Sequence, residues 1–200
     1  FPLTNAEYED LHSSHQTFFS HYISTFAYRE VFILCADHGH VMFTLNNRSA
    51  AGTNLQYGKH NNTNLAKLWQ MVKEQRDFVF TDFGFDPLSN GQETAYIGYP
   101  FYDKYGRFSG VVALQMSPET IAQIMDSRDG MGETGETYLV AYDKVNQRFE
   151  FRSEMKTMGE GRYIVGASIN PTDYWLDAFD QTKDDSGKGL YVDSAGKEVL

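Results

Sequence analysis

The sequence predicts an α+β fold: a long N-terminal helix, an antiparallel five-stranded sheet with helices on one face, then a second, truncated module of the same type. Three observations carry this. Apolar residues recur at three- and four-residue steps over residues 5–27. Short runs of β-formers separated by turn signals fill residues 30–116. The same order of signals then restarts, since ETYLVAYDKVNQRFEFRS compares with the earlier EVFILCADHGHVMFTLNN. The expected divisions are 1–27 for the helix, 28–130 for the first module and 131–200 for the second.

In the first helix the recurring residues are Tyr8, Leu11, His15, Phe18, Phe19, Tyr22, Ile23 and Phe26. EVFILC and VMFTL, joined by ADHGH, read as a hairpin, because Asp-x-Gly between apolar runs is turn chemistry. Residues 46–64 are polar and rich in Gly and Asn, a loop long enough to suggest a function. Thr63 or Asn64 then caps a helix with Leu65, Leu68, Trp69 and Val72 on one face. A strand at 78–83, the turn DPLSNG, and strands at 93–99 and 108–116 joined by DKYG complete the first sheet.

The stretch 110–143 links the two modules. Val111–Met116 is a strand, Ser117 caps a helix with Pro118 at its first position, and Ile121, Ile124 and Met125 form its apolar stripe. Gly130 and Gly132 end that helix, and Tyr138–Val140 begins the next strand. In the second module a helix capped by Thr172, with Trp175, Leu176 and Phe179 apolar, precedes GLYVDSAGKEVL. Measured against the first module, its last strand or two are expected to be absent from these 200 residues.

Asp and Glu number 27 against 17 Lys and Arg, a net charge of −10. That balance excludes a nucleic-acid partner, since no basic stripe is present to displace counterions. It is equally unlike a polybasic membrane-surface protein. No stretch approaches the ~20 apolar residues of a membrane span. With 13 Tyr and 15 Phe, aromatic residues exceed ordinary use, and a β-rich core absorbs most of them.

No catalytic constellation is present: GxSxG, HExxH and phosphate-loop patterns are all absent. GMGETGETY lacks the Lys-Ser/Thr ending of a phosphate loop and precedes a strand. His38 and His40 flank Gly39, but beyond Asp37 no further ligands lie near, so they read as turn residues. Cys35, alone and inside VFILC, reads as a small buried hydrophobe. Asp184 and Asp185 read as a solvated turn. Neither a metal nor a cofactor is expected.

GMGETGETYLV, with the preceding GVVALQM, resembles the double Cache family, the PAS-like extracytoplasmic sensor domains of bacterial chemoreceptors, histidine kinases and cyclases. The resemblance extends from about residue 8 to the C-terminus. It implies a periplasmic ligand-sensing domain of an inner-membrane receptor, anchored by flanking transmembrane helices and homodimeric in the full receptor. A small molecule would sit in the first, membrane-distal module, between the inner sheet face and the covering loop and helix. The long helix would relay binding to a cytoplasmic output domain.

Candidate liners under that resemblance are Tyr57, Trp69, Asp82, Tyr96 and Gln115. Each has a structural rival: Trp69 as core, Tyr57 as surface, Tyr96 as helix-facing. Asp82 stands out, because an acid between Phe80 and Phe83 needs a partner if buried. Family members that bind free amino acids carry an Arg-x-Trp-Tyr cluster and an Asp on the last strand. Here those regions read LAKLWQMVKEQR and Gln115, so a standard α-amino acid is not the expected ligand. The different-class alternative is an extracellular protein-interaction module without a small ligand, which an exposed aromatic patch on the sheet would favour.

Overall fold

A computed structural model describes residues 5–125, 137–143, 146–153, 167–169, 191–192 and 198–199. Its contacts divide the chain into two compact units, Phe1–Ile121 and Ala122–Leu200.

The first unit opens with α1, Asn5–Thr25. The hairpin follows as β1, Glu30–Cys35, and β2, Val41–Thr44. After the loop comes α2, Asn64–Gln75, whose N-cap Thr63 accepts from the Ala66 N–H and whose C-cap Arg76 is left-handed. The expected strand at 78–83 is two short pieces, β3 (Val79–Phe80) and β4 (Gly84–Asp86). Then come β5 (Gln92–Tyr102), β6 (Phe108–Met116) and α3 (Pro118–Met125). Every pairing is antiparallel, in the order β2-β1-β6-β5-β3 with β4 also on β5. β3 and β4 share one edge, so the sheet has the five strand positions the sequence predicts.

The break between β3 and β4 is a one-residue bulge. Phe80 pairs with Ile97 and Gly84 with Thr94, so four steps on one strand match three on the other. Side chains alternate faces along a strand, so the slip exchanges the two faces. Val79 and Thr81 point inward, Phe80 and Asp82 outward, and beyond the bulge Phe85 is outward and Asp86 inward.

The main core lies between the inner sheet face and α2, where Phe32, Leu34, Tyr96, Val111 and Ala113 meet Leu65, Leu68, Trp69 and Val72. Two glycines set how closely α2 seats. A Cβ on Gly98 would lie 2.8 Å from Leu68 Cδ2, and one on Gly39, at φ +64°, would lie 2.9 Å from the Trp69 ring. On the outer face α1 packs through His12, Phe19 and Ile23 against Phe43 and its neighbours. Leu11, Phe18, Tyr22 and Phe26 are exposed, so the buried stripe is narrower than the sequence periodicity suggests and includes His12, which that reading omitted.

In the second unit β7 (Val140–Asp143) and β8 (Arg148–Phe151) form the expected hairpin, and β9 (Ser168–Ile169) extends it. Two short strands, β10 (Tyr191–Val192) and β11 (Glu198–Val199), pair with each other. The glycines of GMGETGE and the helix expected after Thr172 lie outside the described residues, and with them the question of truncation.

Candidate functional site

Tyr96 on β5 and Gln115 on β6 are direct register partners on the inner face. Their side chains meet: Gln115 Nε2 donates to the Tyr96 hydroxyl at 2.7 Å and to Ser89 Oγ at 2.6 Å. The Tyr96 backbone is held as well, its N–H donating to Thr81 Oγ1 at 2.9 Å. Burial, and then the Asp86 charge, push the Tyr96 phenol far up, so the hydroxyl keeps its proton. Gln115 occupies that oxygen as a donor, which leaves the hydroxyl hydrogen to point elsewhere, toward Asp86.

Asp86 is fully buried and caps the short 3-10 turn Pro87–Ser89, with Oδ1 accepting from the Leu88 N–H at 2.8 Å. Its Oδ2 has no partner at hydrogen-bonding geometry. Burial raises its pKa, against the Leu88 N–H, the Tyr96 hydroxyl, Asn64 and His60, which lower it. Thr94 is its same-face diagonal neighbour on β5, and Thr94 Oγ1 is likewise buried without a partner. His60, from the loop over this face, presents a third such atom, Nε2, and burial lowers its pKa. Asp86, Thr94 and His60 thus form a buried polar cluster with Tyr96, whose hydroxyl acts on both Asp86 and Thr94.

The loop is anchored at its start. Glu30 Oε1 accepts from the N–H groups of Val31 and Leu45, and Oε2 from those of Asn46 and Asn47, at 2.7–2.9 Å. Asn47 Nδ2 then donates to the Leu88 carbonyl at 2.7 Å, tying the loop start to the turn that Asp86 caps.

The five sequence candidates separate in space. Tyr96 and Gln115 come together in the inner cluster. Trp69 is buried in the core, its Nε1 donating to the Cys35 carbonyl at 2.9 Å and its ring lying 4.7 Å from Lys73 Nζ. Tyr57 is 75% exposed. Asp82 is exposed on the outer side of the bulge, its Oδ1 accepting from the Phe83 N–H, so the buried acid of this region is Asp86 and not Asp82. Asp86, Thr94, Ser89 and His60 were not singled out from sequence. Asp86-Pro87 signals a turn cap, and nothing in sequence shows that its second oxygen is left over.

The outer face offers something different. An open groove of about 220 Å³ is lined by Tyr22, Phe78, Ile97, Gly98, Tyr99, Val112 and Leu114. Phe78, Phe80 and Tyr99 around it are exposed. At the β1–β2 turn the His38 and His40 rings lie 5.8 Å apart. Among the described residues no group of three or more His, Cys, Asp or Glu could hold a metal ion.

No family model matches the sequence, and no curated protein matches it. Solved structures with a similar chain path include the ligand-binding domain of the Pseudomonas aeruginosa PAO1 amino acid chemoreceptor PctC in complex with GABA. That likeness has 17% identity and a TM-score of 0.37 over 50% of this chain, and this chain spans 43% of that one. The sensor domain of the V. cholerae histidine kinase DctB has 13% identity and a TM-score of 0.45 over 76% of this chain and 70% of that one. The ligand-binding domain of Mlp24 with asparagine has 12% identity and a TM-score of 0.34, over 73% of this chain and 76% of that one.

Proposed function

We propose that this chain is the extracytoplasmic ligand-sensing part of a bacterial transmembrane signalling receptor. A small molecule binds in the first module beneath the covering segment 46–76, and α1 relays the change toward a cytoplasmic output domain. The full receptor is membrane-anchored and homodimeric. The observation that carries this reading is the inner-face polar cluster, where buried Asp86 and Thr94 lie with His60 beside the bonded Tyr96–Gln115 pair. Burying a carboxylate costs folding free energy, so an acid kept there is a candidate for a binding role. The resemblance carried by GVVALQM and GMGETGETYLV supports the same reading.

A signal requires that the ligand prefer one of two arrangements, not merely that it bind. The covering segment is the element through which such a preference acts, since Glu30 and Asn47 fix its start and the α2 face fixes its end. A thermal-shift screen of metabolites on the 200-residue chain tests the reading. A ligand present at 100 times its Kd raises stability by about 2.7 kcal/mol. A saturable rise that Tyr96→Phe weakens supports the reading, and no rise with any compound class contradicts it.

A second reading, a protein-interaction module, is favoured by the exposed aromatic groove on the outer face. It expects Tyr99→Ser and Phe78→Ser to abolish capture of a receptor partner. The sensing reading expects those substitutions to leave small-molecule binding intact.

A further inference from the structure

The two halves of α1 are held to the first unit by different means. The second half packs through Phe19 and Ile23 into an apolar cluster with Val31, Phe43 and Leu45. Over residues 6–18 the one buried residue is His12, at 1% exposure. Its ring stacks on Phe43, with centroids 5.3 Å apart, and its Nε2 lies 2.9 Å from the Leu45 carbonyl oxygen. A carbonyl can only accept, so Nε2 donates and Nδ1 is left as an acceptor. Arg48 supplies the donor for Nδ1 at 3.3 Å, and its guanidinium is also ion-paired with Glu9 of α1.

The residues that α1 meets here are the start of the covering segment. Glu30 accepts from the N–H groups of Leu45, Asn46 and Asn47, and Asn47 Nδ2 donates to the Leu88 carbonyl in the turn that Asp86 caps. The segment start therefore has two attachments, one inward to the polar cluster and one outward to α1. The far end of α1 is fixed without it: Thr120 Oγ1 donates to the Ala27 carbonyl at 2.6 Å, and the Arg29 N–H to the Gln115 carbonyl at 2.9 Å.

We propose that the hydrogen bond from His12 to the Leu45 carbonyl is a latch through which the covering segment holds the first half of α1. A shift of the segment start then tightens or loosens that half of the helix while the other end stays fixed. The latch presupposes the ligand-sensing reading above and is the contact by which the site reaches α1. His12 is a positioning residue, acting through the Leu45 carbonyl and not on a ligand. The Glu9–Arg48 pair cannot replace it, because both side chains are about half exposed and such pairs contribute little. A helix end with one buried anchor opens locally at low cost, so loss of the anchor is read there first.

Hydrogen exchange on the 200-residue chain, with no ligand present, tests the latch. Asn47→Ala removes the side-chain bonds to the Leu88 carbonyl and from Ser49 Oγ, and it leaves every α1 contact named above in place. Amides of residues 10–18 should then exchange about fivefold faster than in wild type. His12→Leu keeps bulk and removes the donor; those amides should already be fast, and adding Asn47→Ala should change them no further. His12→Gln, whose side-chain amide can donate to the same carbonyl, should restore the response. The α2 amides, protected in every variant, report that the core stays folded. Unchanged exchange at residues 10–18 in Asn47→Ala overturns the latch, and that variant alone decides if a His12 variant fails to fold. An equal acceleration with and without the His12 donor also overturns it, since a merely structural histidine gives additive effects. Either failure leaves the sensing reading standing; that reading falls instead when the metabolite screen finds no stabilising compound.

Discussion

The side-chain amide of Gln115 donates to the hydroxyl of Tyr96 at 2.7 Å, across directly paired positions of β5 and β6. The bond fixes which way the phenol can donate and so couples the last strand to Asp86. Tyr96→Phe removes the shared oxygen and leaves Gln115 with Ser89 as its partner. The loss should be about 1–3 kcal/mol, the cost of a buried polar group left unsatisfied, read as a lower urea midpoint. An unchanged midpoint would show that the pair adds nothing to folding.

Trp69 is part of the core, so Trp69→Ala should lose about 3–5 kcal/mol. Its ring fills the space against Gly39, and its N–H serves the Cys35 carbonyl. A purely ligand-facing tryptophan would show normal stability in a denaturant melt and lost affinity instead.

Asp86→Asn tests the sign of the buried charge. The folded pKa is raised above the ordinary 3.8, so the folded state holds the proton more tightly than the unfolded chain. That contribution is fully present below the unfolded pKa and is lost as pH rises through the folded one. The substitution removes it and keeps the Leu88 cap. Relative to wild type, the variant should therefore gain stability as pH rises from 3 to 8. Glu30, whose pKa burial also raises, is common to both proteins and cancels in the difference. Thermal melts over that range that stay parallel would contradict the assignment.

Gly98→Ala places a Cβ 2.8 Å from Leu68 Cδ2 and 3.1 Å from Val72 Cγ2. Seating α2 again should cost about 1–3 kcal/mol, as overpacked cores do. Because α2 closes the covering segment, any ligand bound beneath it should weaken in parallel. A stability change without an affinity change would place the ligand away from α2.

Much of the fold was legible because periodicity and turn chemistry act locally. The hairpin, the capped α2 and the β5–β6 pair all sit where apolar alternation and the DHG and DKYG turns put them. The face of α1 was not legible, since Phe18, Tyr22 and Phe26 make the helix aromatic on more than one side, and His12 is buried by its bond to the Leu45 carbonyl. Which acid of the 82–86 stretch is buried was not legible, for one reason. Unbroken alternation puts Asp82 and Asp86 on the same face, so sequence alone cannot separate them. The bulge between Phe80 and Gly84 turns Asp86 inward and leaves Asp82 out, and it exists only in the register with β5, which alternation along one strand does not show.

Hydrogen exchange on the chain, with and without the compound a thermal-shift screen selects, tests the central claim most directly. Ligand held beneath the covering segment should slow exchange at the amides of His60–Ala66 and at Tyr96, around the polar cluster of Asp86, Thr94 and His60. Slowing confined to Phe78, Tyr99 and the exposed side of α1, with the covering segment unchanged, would contradict it.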